Sequence, residues 1–132
     1  MAAGDRTERR LSGPEYLTAT SAALGASITS TYTWVIKQII FCNTDGTDRL
    51  VYLSLGNDST DTSSSASSPA SKAAPENRIF HALPIAANDT VVLDCALVLV
   101  GSATAAAADR LWGCADTASK VTVTVVGWRK EN

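Results

Sequence analysis

The chain has 132 residues, of which 45% are hydrophobic and 18% charged, and its formal charge is −2. That length suits one domain with one core, and the apolar share excludes a chain disordered throughout. The slightly acidic balance leaves no basic field to hold nucleic acid non-specifically, and no apolar stretch reaches the ~20 residues that a membrane-crossing helix needs.

Residues 1–15 are too polar for a core and read as an extended N-terminal arm. Arg6, Arg9 and Arg10 cluster there, interrupted by Asp5 and Glu8, so the arm's net field is small and its expected role is to clasp a neighbouring subunit. The start, Met-Ala-Ala-Gly-Asp-Arg, has no apolar run, which predicts synthesis in the cytoplasm of the producing cell without a signal peptide.

A single domain is expected over 16–132. Tyr16–Thr20 is predicted as its first strand. Thr33–Cys42 is rich in β-branched and aromatic residues and stops at Asn43-Thr44-Asp45-Gly46, where Asp-Gly signals a turn because glycine accepts positive φ. Leu50–Leu55 alternates Val51, Leu53 and Leu55 against Leu50, Tyr52 and Ser54, the period of a strand. The two runs together predict a β-hairpin. Residues 57–76 hold Ser, Ala, Thr and Pro but no large apolar side chain, which predicts an exposed loop, either a contact loop or a neutral insertion.

Strands are predicted again at Arg78–Leu83 and at Thr90–Val100, the latter bending or breaking near Cys95-Ala96. The Ala-rich stretch 103–109 reads as a loop or one helical turn, too short to be a stable helix. Arg110–Ala115 is the next strand. Lys120–Arg129 closes the chain with Val121, Val123 and Val125 on one side and Thr122 and Thr124 on the other, a half-buried antiparallel strand. About seven or eight strands without crossover helices predict an all-β, antiparallel β-sandwich or jelly roll.

Chemistry is sparse. Cys42, Cys95 and Cys114 are widely spaced with no C-x-x-C pair, which excludes a zinc knuckle of that type. They read as buried thiols, with one disulfide as the alternative. The single histidine, His81, has no nucleophile elbow or carboxylate pattern to work with, and Asn57–Asp61 lacks the glycine and glutamate of a calcium loop. No catalytic, cofactor-binding or metal-binding residue is expected, and the chain is not read as an enzyme. Ala, Ser and Thr stand where a soluble monomer would carry more charge, which suits a surface partly covered by other subunits. The expected contacts are Arg6, Arg9 and Arg10 of the arm and the three tryptophans, Trp34, Trp112 and Trp128, wherever the core leaves them free.

The order Val35-Ile36-Lys37-Gln38-Ile39 through Asn43-Thr44, Leu53-Ser54-Leu55-Gly56, Val92-Leu93 through Leu97-Val98-Leu99, and Val123-Thr124-Val125-Val126-Gly127 resembles small β-sandwich virion structural proteins of tailed bacteriophages. The likeness spans about residues 16–128 and rests on strand patterns; the 57–76 insertion and the charged arm at 1–11 depart from it. It implies a virion component, a minor tail or capsid decoration protein. Its partners would be copies of itself, with a trimer favoured, and other virion proteins. The alternative is a carbohydrate- or receptor-binding module at a tail tip, where the partner would be a host-surface glycan.

Overall fold

Eight strands form in the computed structural model, which describes residues 8–20, 22–25, 28–57, 78–104 and 108–131. In chain order they are β1 (Glu8–Tyr16), β2 (Ala22–Leu24), β3 (Tyr32–Asn43), β4 (Arg49–Asn57), β5 (Arg78–Ile85), β6 (Thr90–Val100), β7 (Asp109–Ala115) and β8 (Val121–Glu131). They make two four-stranded sheets, β1-β8-β3-β6 and β2-β7-β4-β5, and every pairing is antiparallel. The first strand pairs with the last, the second with the seventh, the third with the sixth and the fourth with the fifth. The chain is thus one long folded-back ribbon rolled into two layers, the jelly-roll arrangement of an all-β sandwich.

The layers meet through the phases that alternation assigns inward. Ile36, Ile39 and Phe41 of β3 and Val121, Val123 and Val125 of β8 are at most 1% exposed, and they pack with Val51, Leu53, Ile85 and Leu111 of the opposite sheet in one core cluster. Each such side chain contributes roughly 1.5–3 kcal/mol by leaving water.

Three expectations change. The arm expected over 1–15 is, from Glu8 onward, the edge strand β1, hydrogen-bonded to β8. The first strand therefore starts eight residues earlier than Tyr16 and ends there, so the strand predicted over Tyr16–Thr20 is not formed beyond its first residue: Leu17, Thr18 and Ala19 lie outside any strand. Its polarity misled because an edge strand needs only main-chain pairing and a partner; residues 1–7 lie outside the described residues, Arg6 among them.

The predicted hairpin between β3 and β4 is a corner between the sheets. Asn43, 1% exposed, plugs this corner: its Nδ2 donates to the carbonyls of Thr47, Ile85 and Ala86 at 2.9, 3.0 and 3.1 Å, and its Oδ1 accepts from the Asp45 amide at 3.0 Å. Arg49 then grips Asp45 through Nε at 2.8 Å and Thr117 Oγ1 through Nη1 at 2.9 Å. The turn residues were correctly placed, but side chains bound to distant carbonyls send the chain across the sandwich instead of back along its own sheet.

The 57–76 loop, apart from Asn57 at the end of β4, lies outside the described residues, as do 105–107 of the Ala-rich stretch. The predicted bend near Cys95-Ala96 is present as a bulge in one continuous β6.

Candidate assembly surface

The outward face of the β1-β8-β3-β6 sheet is set by the same alternation that builds the core. Because Ile36, Ile39, Phe41, Val121, Val123 and Val125 point in, the residues between them point out. Pairing places these in cross-strand rows: Tyr16, Thr122, Cys42 and Thr90; then Thr124, Ile40 and Val92; then Arg10, Val126, Gln38 and Asp94; then Glu8, Trp128, Val35 and Val98; then Lys130, Thr33 and Val100. Apolar side chains stand toward both ends of the face, among threonines and, at one end, Glu8 and Lys130.

Among the described residues, four large hydrophobic side chains are about half exposed: Tyr16 at 53%, Val92 at 51%, Val98 at 53% and Val100 at 51%. All four stand on this one face. A lone exposed valine is ordinary, whereas several on one sheet face amount to a patch that water solvates poorly.

A bulge shapes the middle of the face. Between the row Gly127–Ile36–Leu97 and the row Val125–Ile39–Leu93, β8 advances two residues, β3 three and β6 four. The extra residues fan the strands apart and bend them. The fit needs a glycine in β8, since a Cβ on Gly127 would fall 2.0 Å from the Val35 carbonyl oxygen. At the bulge opens a hollow of about 370 Å³ lined by Glu8, Lys37, Gln38, Asp94, Cys95 and Val126. Gln38 Nε2 donates to Asp94 Oδ1 at 3.0 Å, and the Cys95 thiol points to the Ile36 carbonyl at 3.7 Å. Burial, and then the Asp94 carboxylate beside it, push the Cys95 thiol above its ordinary pKa, so this thiol is a poor nucleophile at neutral pH.

No protein-family model matches the chain, and no curated protein matches it either.

The residues singled out from sequence scatter. Arg9 and Arg10 are exposed on β1, Arg10 at the edge of the row that holds the hollow. Trp34 faces inward on β3 and packs against the core. Trp112 is 8% exposed on β7. Trp128 alone of the three lies on the outward face, half-buried beside Val35. The three cysteines are free thiols, Cys114 buried and the other two partly so.

His81 joins a different cluster, on β5. Its ring meets Tyr52 edge-on with centroids 5.4 Å apart, the Arg78 guanidinium lies 4.9 Å from the Tyr52 ring centre, and Arg78 also bonds His81 Nδ1. This is stacking between neighbouring strands. Among the described residues no group of three or more His, Cys, Asp and Glu side chains is placed to hold a metal ion.

Sequence reasoning missed Tyr16, Val92, Val98 and Val100 as surface residues. A signal was present in β6. Val91, Leu93, Leu97 and Leu99 fill one phase, while Val92, Val98 and Val100 fill much of the other, and a strand apolar in both phases is one that expects cover on both faces.

Proposed function

We propose that the protein is a non-enzymatic structural subunit of a tailed-phage virion, a minor tail or capsid decoration protein that works by packing against other subunits. The observation that carries this reading is the gathering of Tyr16, Val92, Val98 and Val100 on one sheet face. A face of this kind is suited to being covered. The jelly-roll strand order agrees with it by analogy of fold, since capsid and lectin domains both use that frame, and the strand motifs shared with small phage virion proteins point the same way. A glycan platform would need neighbouring exposed rings. Tyr16 and Trp128 pair with and occupy positions six residues apart on β8, which is about 20 Å at the rise of a strand, too far to hold one sugar between them.

The test is composition of particles. Tryptic mass spectrometry on gradient-purified virions produced from the genome that encodes this chain should find it at fixed stoichiometry to the major structural proteins. Its absence from intact particles rejects the proposal.

A further inference from the structure

We infer that the outward face of the β1-β8-β3-β6 sheet is a two-fold, face-to-face docking surface for a second copy of this chain. The inference rests on the structural reading above and deepens it by naming the partner and the surface, with a dimer in place of the trimer that the resemblance favours.

The first argument is area. Strands of eleven and twelve residues in β6, β8 and β3 offer about ten paired positions, roughly 33 Å at ~3.3 Å per residue, and four strands span roughly 19 Å at ~4.8 Å each. The face is therefore about 600 Å² in projection. The smallest stable protein–protein interfaces bury about 600 Å² from each partner, so this one sheet face supplies what a dimer needs.

The second argument is self-complementarity. A two-fold interface uses the same patch twice, so the patch must fit its own image. Here apolar side chains lie on either side of a central polar row: Val92 on one side, Val98 and Val100 on the other, with Arg10, Gln38 and Asp94 in the row between them and Lys37 beside it at the bulge. A two-fold axis through the hollow lays apolar side chains on apolar side chains. The axis lies in the interface along the central row, so the Val92 side of each copy meets the Val98 and Val100 side of the other. A head-to-tail contact would instead set the charged row on valines, at a desolvation cost.

Sedimentation equilibrium on the full chain tests this. The expected mass is twice 13.8 kDa. The double variant Val92→Lys/Val98→Lys should weaken association at least about tenfold, because it buries like charges face to face. Val92→Lys and Val98→Glu should each weaken it, and the combined Val92→Lys/Val98→Glu should recover most of the loss, because the axis sets the two positions opposite each other. Both side chains are about half exposed, at 51% and 53%, so that cycle decides the matter even where the double lysine variant fails to fold. His81→Ala, on the other sheet, should leave association unchanged. A monomer at high micromolar concentration, a mass of three copies, or a dimer indifferent to both sets of substitutions overturns the inference. A dimer that is absent from purified particles rejects the virion reading and leaves this inference standing; a monomer found in particles does the reverse.

Discussion

The Asn43 side chain is bonded to the Ile85 carbonyl at 3.0 Å, joining the last residue of β3 in one sheet to the last residue of β5 in the other. With its further bonds to Thr47 and Ala86, a single amide closes one end of the sandwich. Asn43→Ala leaves three carbonyls without this donor, that of Ile85 at a buried bond and those of Thr47 and Ala86 at partly buried ones. It should lower unfolding free energy by about 2–4 kcal/mol, read as a fall in the urea midpoint at unchanged slope. A loss below about half a kcal/mol would show that water replaces the amide at the corner.

Gly127 supports the fan of strands at the bulge by having no side chain. Gly127→Ala sets a methyl group 2.0 Å from the Val35 carbonyl oxygen and 2.9 Å from the Ile36 Cα, both backbone atoms of a central strand. A cost of about 3 kcal/mol or more is expected from thermal unfolding, in the range of severe core strain. Gly46→Ala is the matched control: nothing lies within 4 Å of its Cβ position, and its midpoint should stay close to that of the parent.

Asp45 gives stability an acid limb. The hydrogen bond from the Arg49 side chain is the foremost cause holding its carboxyl below the ordinary 3.8, aided by the Gly46 amide. A carboxylate with a lowered folded pKa adds stability that is fully present above the unfolded value. That stability is lost as pH falls from about 3.8 through the lower folded value. In Asp45→Asn the unfolding midpoint should therefore vary less over that acid window than in the parent, when both are followed by circular dichroism. Equal slopes in the two proteins would remove Asp45 from the account.

The thiols should separate by reactivity. Cys114 is 2% exposed, and its pKa is pushed up by burial; Cys95 is raised by burial and by Asp94. Alkylation near pH 8, at a dilution that dissociates the face-to-face pair and followed by mass spectrometry, should modify Cys42 first, Cys95 slowly and Cys114 only on unfolding. Asp94→Asn removes a charge that raises Cys95 and should speed labelling there alone. Rapid modification of Cys114 in the native protein would contradict its burial.

Much of the frame was legible because it follows from local rules. The period of two in β8 marks its inward valines, and the same period places Val51 and Leu53 in the core. What escaped was set by distant partners. Asn43-Thr44-Asp45-Gly46 carries the signature of a tight turn, yet its direction depends on carbonyls about forty residues away at Ile85 and Ala86. Glu8–Tyr16 looks too polar for a strand because an edge takes its hold from the main chain of β8, which leaves little trace in side-chain pattern. The candidate surface lay between these cases. The second apolar phase of β6 was in plain view, but only the register with β3 and β8 shows that Val92, Val98 and Tyr16 share a face.

The nested order of pairing has a consequence for how the protein is made. β4 and β5, the innermost pair, can meet as soon as both have left the ribosome, whereas β1 must wait for β8, which begins about a hundred residues after β1 ends. β3 also lacks one of its two neighbours until then. At roughly 5–20 residues per second, β1 stays unpaired for seconds while the strands between it and β8 are made. The sheet that carries the apolar outer face is therefore completed only when β8 emerges, and a nascent chain does not present that face in finished form to its neighbours before its own core can close.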